Sequence, residues 1–211
     1  MTALLVAAAA VGVSYGWFAL DRRKTAARAL WKMAPAALMA VAAWMAGAPL
    51  LLPAALLFAL AGDGFLAFDG QRPFLTGLGS FLACHLCYAA LFLSGQDPVW
   101  SAGPAFLVGT AAIFAIALGA FRYLRPVLGP MRIPVALYTG VIAAMAVAGL
   151  SRGPDLVLIC GVMLFMASDL TLGIATFRLA PDSDWRPAFE RFVWYSYLAS
   201  QLLIVVAMGV R

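Results

Sequence analysis

Between Ala3 and Met208 the chain repeats one pattern eight times: an apolar run of about 15 to 22 residues, then a short break rich in charge, proline or glycine. Runs of that length suit a hydrocarbon layer about 30 Å thick. A helix rises about 1.5 Å per residue and satisfies its backbone hydrogen bonds within its own segment. Helices are expected over residues 3–20, 33–46, 50–68, 74–93, 100–121, 133–150, 155–177 and 189–208. With 65% hydrophobic residues, 11% charged residues and a mean hydropathy of +0.98, a water-soluble globule of 211 residues is excluded. The expected fold is an all-α integral membrane protein, a bundle of about eight transmembrane helices forming a single polytopic domain over residues 1–211.

The net charge of +5 would point a soluble protein toward nucleic acid, but here the basic residues fall between apolar runs and set topology instead. No nucleic-acid partner and no obligate protein partner is expected. The first run is followed at once by Asp21-Arg22-Arg23-Lys24. A secretory signal carries its positive charge ahead of the run, so a retained first helix is expected. With the N-terminus outside, all of the 14 lysines and arginines except Arg152 and Arg211 fall on the inner side. Positive connections stay cytoplasmic, which predicts a multi-pass protein of a bacterial-type inner membrane with both termini on the non-cytoplasmic side.

Two carboxylates interrupt the apolar runs, Asp63 in Ala61-Gly62-Asp63-Gly64-Phe65-Leu66 and Asp169 in Ala167-Ser168-Asp169-Leu170-Thr171-Leu172. A charged residue at the bilayer centre costs about 2.5–3.5 kcal/mol on insertion scales, so an acid there is by default a functional residue. Both helices run inward, and both acids lie at equal depth in the cytoplasmic half. The two stand 106 positions apart, half of the 211-residue chain, which admits a duplicated unit of two parallel four-helix halves.

Other polar residues inside the runs are few. His85 is the only histidine, and Phe81, His85 and Tyr88 are spaced to share one helical face, as are Tyr197 and Gln201. Tyr138 and Ser200 complete the set. Such faces line a cavity for an amphiphile or make interhelical hydrogen bonds, worth roughly 0.6 kcal/mol each. Asp97, Asp155, Asp182 and Asp184 fall in connections or at helix ends, where solvation or capping is expected. Cys84 and Cys87 bracket His85, but neighbouring helical positions point about 100° apart and there is one histidine, so no metal site is expected, and the acid–base chemistry set out below requires no cofactor. Three cysteines in apolar runs read as small hydrophobes.

Four blocks, Leu57 to Asp63, Phe81 to Tyr88, Gly161 to Asp169 and Gln201 to Ile204, together resemble the hallmark blocks of the YhhN family of lysoplasmalogenases, in the family's order and spacing from Leu50 to the end. The resemblance implies hydrolysis of the vinyl-ether bond of a lysoplasmalogen, a lysophospholipid, to a fatty aldehyde and a glycerophospho-alcohol. It implies that the family's two acidic positions fall on Asp63 and Asp169, and its histidine and glutamine positions on His85 and Gln201.

The chemistry needs one acid and one base. Protonation of the vinyl β-carbon leaves an oxocarbenium ion, and water adds to it. Two carboxyls in a low-dielectric pocket divide these roles, as in glycosidases. Apolar Phe165, Met166 and Leu172 favour Asp169 as the acid, while Gly62 and Gly64 leave room for water beside Asp63. His85, Tyr88, Tyr138, Tyr197 and Gln201 are expected to position water or substrate, and Arg72, Arg178 and Arg191 to meet a phosphate. Two other classes remain open: a small-molecule or proton-coupled transporter, and a lipid-binding membrane protein. A transporter needs polar residues continuing to both faces, and the outer halves of these helices are nearly bare of them.

Overall fold

The computed structural model describes residues 1–94 and 103–209, and among them the ordered secondary structure is helical throughout. The helices are α1 (Thr2–Phe18), α2 (Ala26–Met45), α3 (Leu51–Phe65), α4 (Gln71–Leu93), α5 (Pro104–Leu124), α6 (Arg132–Leu150), α7 (Leu156–Phe177) and α8 (Arg186–Gly209). Two short 3₁₀ turns, Arg125–Val127 and Gly129–Met131, join α5 to α6. The expected start of the fifth helix at Trp100, the position of Asp97 and that of Arg211 lie outside the described residues.

Two boundaries differ in a way that matters. Helix α2 begins seven residues earlier than the apolar run predicts, because the Thr25 side chain accepts from the Arg28 amide and caps it. Arg28 and Lys32 therefore sit on a helix and not in a connection. The eight expected helices are all present among the described residues, but not all are long and apolar enough to count as membrane spans. Among the described residues, five helical segments, α4, α5 with its following turn, α6 with its preceding turn, α7 and α8, are long and apolar enough to cross a membrane. Helices α1 and α3 are apolar but have only 17 and 15 residues. Fifteen residues reach about 22 Å, short of a 30 Å core.

Consecutive helices pack side by side within α1–α4 and within α5–α8, most extensively α3 on α4 and α7 on α8; contacts of α4 with α6, and of α8 with α1 and α2, close the bundle. Close approach relies on small residues, as in membrane bundles generally. A Cβ on Gly161 would stand 3.2 Å from the Ile204 backbone nitrogen, and one on Gly12 only 2.5 Å from Leu198. The Trp194 indole donates to the Gly12 carbonyl at 2.8 Å, tying α8 to α1. Helix α5 sits at the edge with little of its surface buried, and Leu107, Val108, Phe114 and Leu118 face outward.

One end of the bundle is knitted by charge. Lys24, after α1, pairs with Asp69, after α3. Arg191 of α8 reaches Asp21 at 2.5 Å, and Arg178, after α7, donates to the Tyr123 carbonyl near the end of α5. The connections after α1, α3, α5 and α7 thus share one end. At the other, Arg152 donates to the Phe92 carbonyl at the end of α4.

Candidate active site

At the basic end a cavity of about 360 Å³ runs into the bundle between α1, α2, α3, α4, α7 and α8. Asp63 and Asp169 both line it. Asp63 lies in the last turn of α3, and Asp169 two turns before the end of α7.

Each carboxylate carries its own pair of partners. Tyr197 donates to Asp63 Oδ2 at 2.8 Å, and the Lys32 ammonium stands 3.4 Å from Oδ1. Tyr138 donates to Asp169 Oδ2 at 2.8 Å, and His85 Nε2 lies 3.1 Å from the same oxygen, off the line of a hydrogen bond. His85 is completely buried, and its Nδ1 faces the Phe81 carbonyl at 2.5 Å. A carbonyl only accepts, so Nδ1 carries a proton there. The histidine ring is held between Phe165 and Tyr138, at centroid distances of 4.5 and 5.5 Å.

The offset that relates the two acids relates their partners too. Lys32 and Tyr138 stand 106 positions apart, like Asp63 and Asp169, and each partner comes from the helix preceding its acid in the same half. The second partner of each acid crosses over: Tyr197 of α8 serves Asp63, and His85 of α4 serves Asp169.

Of the residues expected at a site, Asp63, Asp169 and Tyr197 line the cavity, and Tyr138 lines a small apolar crevice that meets it at Asp169. Phe81, His85 and Tyr88 share the inward face of α4, all buried. Tyr88 donates to Gln201 Oε1; neither lines the cavity. Arg72, Arg178 and Arg191 stand apart from it. Arg72 is exposed, Arg178 stacks over Tyr123 at 4.4 Å, and Arg191 pairs with Asp21. The cationic lining is instead Lys24, Arg28, Lys32 and Arg186. Lys32 is the partner that the sequence reading missed; the offset from Tyr138 and its spacing of four from Arg28 were signals for it.

The room for water beside Asp63 comes from the cavity and not from its flanking glycines. The glycines themselves pack against side chains: a Cβ on Gly62 would fall 2.6 Å from the Phe81 ring, and one on Gly64 3.0 Å from Met33 Sδ. Gly62→Ala is expected to push Phe81 into the cavity and lower stability by about 1–3 kcal/mol, the usual range for overpacking. Thermal unfolding of the detergent-solubilised variant reads this; an unchanged midpoint would show that the ring yields freely.

A Mycobacterium bovis protein named lysoplasmalogenase is 34% identical over 159 residues, covering 73% of this chain and 58% of its own length. The Bos taurus and Homo sapiens proteins named lysoplasmalogenase TMEM86A are 29% and 28% identical over 163 and 166 residues, each covering 72% of this chain and 62% of its own length. The chain thus spans about three-fifths of the length of these relatives. No solved structure matches it. The YhhN family model matches residues 27–208, which takes in both carboxylates and every one of their partners, and the chain belongs to the YhhN family.

Proposed function

We propose that this protein hydrolyses the vinyl-ether bond of a lysoplasmalogen, releasing a fatty aldehyde and a glycerophospho-alcohol, with Asp169 as acid and Asp63 as base. The observation that carries the division of roles is the count of donors around each carboxylate. Asp63 receives an ammonium on one oxygen and a hydroxyl on the other, a setting for an ionised carboxylate. Around Asp169, the proton on His85 Nδ1 is committed to Phe81, Tyr138 is the hydrogen-bond donor to the carboxyl, and no lysine or arginine pairs with it among the described residues, a setting in which the carboxyl can carry a proton. That proton is the one to deliver.

In this mechanism Asp169 gives its proton to the vinyl β-carbon, and the π-electrons leave an oxocarbenium ion on the α-carbon and oxygen. The ionised Asp63 stabilises the cation and takes a proton from water as its oxygen bonds the α-carbon. The hemiacetal then collapses: its hydroxyl proton leaves to Asp169, the carbon–oxygen bond to glycerol breaks, and the proton held by Asp63 passes to the departing oxygen. One water is consumed, and both acids return to their starting states.

The basic end faces the cytoplasm in this reading, with all eight helices embedded, both termini outside and the halves α1–α4 and α5–α8 related by duplication. The charge bias and the shared offset of 106 support it. Purified protein incubated with lysoplasmenylethanolamine is expected to release free aldehyde, and with the saturated alkyl-ether analogue none. Turnover of neither lipid, in protein shown to be folded, would overturn the proposal.

A further inference from the structure

Two groups in the cavity wall are not used by this reaction. Tyr15 of α1 is fully buried and lines the cavity, yet its hydroxyl has no hydrogen-bond partner among the described residues. A buried donor left unpaired is unfavourable, and native structures rarely keep one without a ligand or water to meet it. Above its ring, 5.5 Å from the centroid, lies the guanidinium of Arg28.

Arg28 differs from the other cations of the cavity. Lys24 pairs with Asp69, Lys32 stands 3.4 Å from Asp63, and Arg186 stands 3.8 Å from Glu190. Arg28 has no carboxylate in ion-pair contact among the described residues. It is anchored by two backbone carbonyls, Nε on Ala19 at 2.9 Å and Nη2 on Leu20 at 2.8 Å. A guanidinium has five N–H donors, so three remain, in a fork already oriented by the C-terminus of α1. The wall therefore offers one guanidinium with no carboxylate in contact and one idle hydroxyl near it. The complement is a monoanionic group with several acceptor oxygens.

We propose that Arg28 and Tyr15 receive the phosphodiester of a single-chain lipid and so position its ether linkage between Asp63 and Asp169. Only the identity of the lipid rests on the hydrolase reading; the anion subsite stands on Arg28 and Tyr15 themselves. Both residues belong to the ends of α1 and α2 nearest the mouth, and the carboxylates lie on α3 and α7 with the apolar crevice beyond Asp169. A lysolipid entering with its chain toward the crevice leaves its phosphate at this level.

The test uses the full chain in detergent and lipids that cannot react: a saturated 1-O-alkyl lysophospholipid and the matching 1-O-alkylglycerol, which lacks the phosphate. Trp31 and Trp194 touch the Tyr15 ring, at centroid distances of 6.4 and 4.5 Å, so tryptophan fluorescence reports occupancy. Tyr15→Phe is expected to weaken binding of the phosphate-bearing lipid about tenfold, the size of one hydrogen bond to a charged group, and to leave that of the alkylglycerol unchanged. Arg28→Lys, which keeps the charge but loses the fork, should weaken the same lipid selectively. Inorganic phosphate that competes in the wild type but not in Tyr15→Phe would support the subsite with free phosphate as a second source of the same chemistry. Equal effects on both lipids, or none on either, would overturn it. Because neither lipid is a substrate, a protein that binds phosphate through Tyr15 but cleaves no vinyl ether would keep this inference and lose the reaction.

Discussion

Asp63→Asn and Asp169→Asn are each expected to lower aldehyde release by roughly a thousandfold, within the range assigned to a positioned acid or base. Asparagine keeps the shape of the side chain and can still accept from Tyr197 or Tyr138, but it neither delivers nor takes a proton at neutral pH. In the proposed mechanism the two carboxyls act on one reaction coordinate, so the double variant should be little worse than either single one. A structural explanation must be separated from a chemical one at Asp63, because Asn at position 63 leaves the Lys32 ammonium buried without its counter-charge. Breaking such a pair by removing one partner destabilises by about 3–5 kcal/mol. Lys32→Met combined with Asp63→Asn removes both charges, and it should regain thermal stability without regaining turnover. Wild-type turnover in either Asn variant would end the two-acid mechanism, whatever the midpoints of unfolding.

Both acids were visible in the sequence because a carboxylate inside an apolar run has few other reasons to be there. The face of Phe81, His85 and Tyr88 was visible because helical periodicity alone places three such residues together. Lys32 was hidden by a boundary. Reading α2 from its apolar stretch puts the first turns in a connection, and only the Thr25 cap shows that Arg28 and Lys32 project from a helix toward α1 and α3. The glycines around Asp63 misled for a different reason: a missing side chain records space beside the backbone, but not whether water or Phe81 fills it. The phosphate-binding arginines were placed by side of the membrane, and that pattern does not tell a basic residue on a cavity wall from one that caps or pairs elsewhere. Arg178 and Arg191 do the latter. Tyr15 gave no signal at all, since one tyrosine in an apolar helix looks like any other core aromatic until its hydroxyl is seen to lack a partner.

In heavy water, the aldehyde released from a lysoplasmenyl substrate is expected to carry one deuterium on the carbon next to the carbonyl. Carbon protonation defines the proposed reaction: in it, the hydrogen that Asp169 delivers to the vinyl β-carbon exchanges with solvent between turnovers, and it ends on carbon where it remains through hemiacetal collapse. Hydrolysis of an ester or phosphodiester forms no such bond. Mass spectrometry of aldehyde trapped as it forms, before enolisation can exchange it, reads the label directly. Turnover should also slow where proton transfer to carbon limits the rate, because the proton is then in flight in the transition state. The saturated ether has no π-bond to protonate and is expected to bind unchanged under the same conditions. Aldehyde formed without deuterium would mean that the carbon–oxygen bond breaks by another route, and Asp169 would then have to act on oxygen or on water instead of carbon.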